Sequence, residues 1–112
     1  MADPERAGLF REAFAAIRGG DFDAIFRSLQ ALGYTLRQTG DANHYFYFHS
    51  MLKDDKHFAF PRNLYRPHGK HRDTGKVSSR DRSMARQSVE ALQALLDSRD
   101  KEEEGGYDRL DS

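Results

Sequence analysis

Cysteine and tryptophan are missing from this chain of 112 residues, and proline occurs only three times. Without cysteine there is no disulfide, no thiolate-held zinc and no iron–sulfur cluster, a composition that suits a reducing compartment. Long apolar runs are missing too. None approaches the roughly 20 residues that a membrane-spanning helix needs. The charged start, Met-Ala-Asp-Pro-Glu-Arg, lacks the apolar stretch of a secretory signal. These gaps lead to the expectation of a cytoplasmic protein.

Net charge is zero only as an average. Residues 1–61 carry seven Lys/Arg against eight Asp/Glu, residues 62–86 eight against two, and residues 87–112 three against eight. A polyanion responds to the local field, and the basic middle segment would attract one. Eight Phe and five Tyr supply the large apolar side chains that a single small domain needs for its core.

Periodicity places the elements. Asp3-Pro4 reads as a cap and first turn. Leu9, Phe10, Ala13, Phe14 and Ile17 then recur at helical spacing until Gly19-Gly20. Asp21 opens a second helix with Phe22, Ile25, Phe26, Leu29 and Leu32 on one face, closed by Gly33. From Tyr34 the period shortens. Residues 34–39, 44–49 and 56–60 read as three short strands, separated by turn signals at 40–43 and 53–55, and tight links imply an antiparallel meander. Alternation groups His44 with Phe46 and Phe48, and Tyr45 and Tyr47 with His49, without deciding which set faces the core.

Residues 62–76 read as a long basic loop and Ser78-x-x-Asp81 as a capping box. Met84, Ala85, Ser88, Val89, Leu92 and Leu96 form the buried stripe of a last helix. The expected organisation is therefore an N-terminal helical extension (1–20), a central domain (21–99) and a disordered acidic tail (100–112).

Specific residues now meet this order of elements. Leu32-Gly33-Tyr34 joins a helix to a strand that opens on an aromatic. His44 and His49 stand five apart on the second strand. Phe58-Ala59-Phe60-Pro61 ends the third, and Pro67-His68-Gly69-Lys70 follows before the closing helix. In that order and spacing the chain resembles the HicA (YcfA-like) mRNA interferase toxins. Ala42-Asn43-His44 stands where that family has Gly-Ser/Thr-His, residues 62–66 lengthen the loop, and the helix at 3–18 is additional.

The resemblance implies an α+β, dsRBD-like fold, with a three-stranded antiparallel sheet packed on helices in the order α-β-β-β-α behind an extra N-terminal helix. It also implies a toxin of a type II toxin–antitoxin system that cleaves RNA without a metal or other cofactor, and a HicB-type antitoxin as partner. His44 is the expected catalytic imidazole and His49 a weaker second proton carrier, because a histidine titrates near working pH. Lys53, Lys56, Arg62, Arg66, His68, Lys70, His71, Arg72, Lys76, Arg80, Arg82 and Arg86 are the expected RNA contacts, supplying fixed positive charge to phosphates. His68, His71 and Asp73 could instead seat a metal, a weaker reading on a loop. A non-catalytic RNA- or protein-binding module on the same fold, such as a phage or plasmid accessory factor, remains the alternative.

Overall fold

Helix α1 spans Pro4–Gly19 and buries Phe10, Ala13 and Ile17. The computed structural model describes residues 4–67 and 75–111, so the expected Asp3 cap lies outside the described residues. Gly20 turns the chain at φ +83°, and α2 (Phe22–Ala31) starts at once. The Asp21 carboxylate caps α2 by accepting the Ala24 N–H at 2.9 Å, and Phe22, Ile25 and Leu29 point inward.

The end of α2 is a Schellman motif. The Gly33 and Tyr34 N–H groups donate back to the Gln30 and Leu29 carbonyls. Gly33 sits at φ +95°, a conformation that disfavours any side chain.

The sheet is a three-stranded antiparallel meander in the order β1 (Thr35–Gln38), β2 (His44–Phe48), β3. Arg37 pairs with Phe46, and Phe46 in turn with Asn63. Between β1 and β2 the Asp41 carboxylate accepts from the Asn43 N–H, which shapes the turn that delivers His44.

The third strand is displaced from its expected place. Residues 56–60 form turns, and β3 is Arg62–Tyr65. After a single 3₁₀ turn (Ser50–Leu52), the Asp55 carboxylate accepts both the His57 and Phe58 N–H groups. That local capture withdraws two donors from any ladder, and Pro61 offers none. Pairing resumes only beyond the proline.

Helix α3 (Ser79–Asp111) begins under Ser78, whose hydroxyl accepts the Asp81 N–H. Only this half of the expected box forms, because the Asp81 carboxylate accepts from the Tyr65 N–H instead. The helix continues past residue 99, where a disordered tail is expected. Lys101 and Glu102 are good helix formers, and Asp100 is ion-paired to Arg6 of α1.

All three helices share one core with the inner face of the sheet. Phe10, Ala13, Ile25, Leu29, Tyr47, Leu64, Val89 and Leu92 belong to it, so α1 is part of the core as well as an extension of it. The result is an α+β protein with helices on one side of an open antiparallel sheet.

Candidate nucleic-acid interface

Strand β2 sorts its side chains by parity. Tyr47 is 1% exposed, and Tyr45 packs edge-on against Phe26 and tilted against Phe22. The tyrosines therefore serve the core. His44, Phe46 and Phe48 take the opposite face, half-buried, and the two Phe rings lie outside the core cluster. Arg37 from β1 and Asn63 and Tyr65 from β3 share that outer face through the strand register. Its strand positions carry no carboxylate.

His44 is held on two sides. Its Nε2 donates to the Asn63 Oδ1 at 2.7 Å, and its ring lies flat on Tyr65, with centroids 4.2 Å apart and planes 7° from parallel. With Asn63 oriented this way, the proton sits on Nε2 and Nδ1 is left as the acceptor. Tyr65 is 48% exposed, so the stacked pair borders solvent.

Asp81 lies behind this pair. Burial raises its carboxyl above the usual value, and the Tyr65 N–H, Arg80 and His44 pull it partly back. A groove of about 430 Å³ runs beside β3, between Asn63 and Tyr65 on one wall and Arg80 and Asp81 of α3 on the other. An aromatic ring and a guanidinium thus border one open groove, and the His44 imidazole is stacked on that ring. Such a set can stack a base, neutralise a phosphate and exchange a proton.

His49 has a different fate. It is 9% exposed. Its Nδ1 accepts the Met51 N–H at 3.1 Å, its Nε2 donates to the Leu32 carbonyl at 2.9 Å, and its ring meets Tyr34 edge-on. Both nitrogens are engaged in joining the end of α2 to the chain after β2, which leaves neither for a substrate.

The expected RNA contacts are spread over the surface. Arg62 donates to the His57 carbonyl and lies over the Phe58 ring, so it braces the turn before β3. Arg66 stacks on Phe22 at 4.3 Å and pairs with Asp23 at 3.2 Å. Lys53 and Lys56 are exposed around the 3₁₀ turn. Lys76 lays its stem on Gly20, where an added Cβ would come within 3.1 Å. Arg80 faces the groove beside His44, whereas Arg82 and Arg86 line a separate groove against α1. His68, Lys70, His71 and Arg72, and with them Asp73, lie outside the described residues. Among the described residues no cluster of three potential metal ligands occurs, and no helix is long and apolar enough to cross a membrane.

Asn63, Tyr65 and Arg37 went unrecognised in the sequence. The first two sit in residues 62–66, which read as a loop insert when 56–60 is the third strand, whereas they form β3. The alternation Asn63-Leu64-Tyr65 after Pro61 was the available signal. No family model, curated protein or solved structure matches the chain.

Proposed function

We propose that this chain is a HicA-like endoribonuclease toxin on a dsRBD-like fold, binding RNA at the outer sheet face and cleaving it with His44 and without a metal. One observation carries the reading. His44 stands on the solvent side of the sheet, one ring nitrogen fixed by Asn63, its ring supported by Tyr65 and Arg80 across the adjacent groove.

In RNA the nucleophile is already present as the ribose 2′-hydroxyl. His44 Nδ1 takes the 2′-proton while the oxygen attacks the adjacent phosphorus. The 5′-oxygen leaves and takes a proton from water, giving a 2′,3′-cyclic phosphate and a free 5′-hydroxyl. Arg80 neutralises charge growing on the non-bridging oxygens. Phe46, Phe48 and Tyr65 offer rings on which bases stack. A HicB-type antitoxin would restrain the toxin by covering the same face.

The test incubates purified wild type and His44→Ala with RNA in the presence of a chelator. A fall in cleavage of about 10²–10⁴ in the variant supports the reading, as expected for loss of one positioned base. Intact RNA with wild type, or equal cleavage by both, overturns the nuclease.

A second reading is favoured by His49. With that imidazole committed to the fold, no second free imidazole stands beside His44 among the described residues to protonate the leaving oxygen. A non-catalytic RNA-binding module would need none. It predicts salt-sensitive RNA binding with no cleavage.

A further inference from the structure

The additional helix α1 does more than fill the core. Its last turn and the first turns of α3 enclose a groove of about 390 Å³, floored by Phe14 and Ile17. Arg18, Arg82 and Arg86 line it, with Ser79 and Ser83 between them. One Nη of Arg82 donates to the Arg18 carbonyl at 3.1 Å, which fastens the two helices together. The Nε of the same guanidinium is buried with no hydrogen-bond partner. No described carboxylate pairs with any of the three arginines.

Three like charges held in one groove repel one another, and a buried N–H without an acceptor adds a desolvation cost. The repulsion is relieved by an anion with several oxygen acceptors. Ser79 and Ser83 add hydroxyl donors suited to the same guest.

We propose that this groove is a second phosphate-binding site for the RNA backbone, built by α1 and continuous with the His44 face around the first turn of α3. This rests on the RNA reading above. Arg80 and Asp81 face the groove beside His44, while Ser79 and Arg82 face the arginine groove. Both therefore flank the same helical turn, and an α-helix with its side chains is only about 10–12 Å across. One strand laid over that turn engages both. Its reacting linkage lies at His44, and a neighbouring phosphate lies among Arg18, Arg82 and Arg86. The acceptors are phosphate oxygens, so the contact adds affinity without base preference.

The test uses the full chain and a fluorescent 2′-O-methyl RNA oligonucleotide, which lacks the nucleophile and stays intact. Affinity is measured across a salt series for wild type, Arg18→Ala/Arg86→Ala and Arg18→Lys/Arg86→Lys. Arg18 and Arg86 are exposed, so the variants should keep the wild-type unfolding midpoint, which a thermal melt checks. The double alanine variant should bind on the order of tenfold more weakly at low salt. Its slope of log affinity against log salt should be shallower by about 1, and the lysine pair should restore most of it. Tight wild-type binding with unchanged slopes overturns the second site and leaves the His44 face standing. No RNA binding by wild type at low salt overturns both. Selective loss of binding to an acidic peptide, with RNA binding intact, overturns the site as an RNA contact and assigns it to a protein partner.

Discussion

His44 and His49 begin and follow the same short strand, yet the fold uses them in opposite ways. His49 shares the inward parity of Tyr45 and Tyr47, and its two nitrogens are satisfied by the Met51 N–H and the Leu32 carbonyl. His44 has the outward parity of Phe46 and Phe48 and is held by two side chains from the neighbouring strand, Asn63 and Tyr65. An odd number of residues between two reactive groups on a strand would put them on one face; His44 and His49 are separated by an even number, so they part. The inner face commits both His49 nitrogens to the fold, and the outer face leaves His44 bordering solvent.

Substitutions on the two faces should therefore separate stability from activity. The largest stability loss is expected on the inner face, where Tyr47→Ala should cost about 3–5 kcal/mol as a buried ring is deleted. Phe48→Ala, outside the core cluster, should cost far less, and urea unfolding of the pair measures the contrast. His49→Ala should cost about 1–3 kcal/mol by stranding the Met51 N–H and the Leu32 carbonyl, whereas His44→Ala should unfold within about 1 kcal/mol of wild type. Equal destabilisation by the two histidine variants would erase the distinction between the faces.

Gly33→Ala should cost about 1–2 kcal/mol. Its φ is +95°, and an added Cβ would sit 3.0 Å from His49 Nε2. Tyr47→Phe should be neutral to slightly stabilising, because it removes a buried hydroxyl that has no hydrogen-bond partner.

The smallest effect is a pH dependence at Asp81. Burial raises its carboxyl above 3.8, so the folded protein binds that proton more tightly than the unfolded chain. The resulting stabilisation is complete below about pH 4 and is lost as pH rises through the raised value. Asp81→Asn keeps an acceptor for the Tyr65 N–H and removes the titration. Its stability relative to wild type should therefore improve between pH 4 and pH 7 in paired denaturation curves.

Much of the scaffold was legible from local signals. Asp21 capped α2 as its position suggests, Gly33 closed it in a left-handed turn, and the run from His44 formed the central strand. Those features depend on neighbours within a few residues. The third strand was not legible, because residues 56–60 have strand-like composition and the Asp55 carboxylate overrides it with two local hydrogen bonds. That shift hid Asn63 and Tyr65, the two residues that position His44. The dispersal of the basic side chains was equally hidden. A run of charge along the chain says nothing of its partition between the two sides of α3, nor of Arg62 and Arg66 being drawn onto Phe58 and Phe22. Nothing near residue 18 signals that Arg18 would meet Arg82, since that contact spans two helices far apart in sequence.

The most direct test of the division between the two histidines is their imidazole nitrogen spectra, recorded while 2′-O-methyl RNA is added. The account requires the His44 resonances to shift on binding and the His49 resonances to stay where they are, held by the Met51 N–H and the Leu32 carbonyl. A His44 signal indifferent to saturating RNA, or a His49 signal that moves in its place, would contradict it.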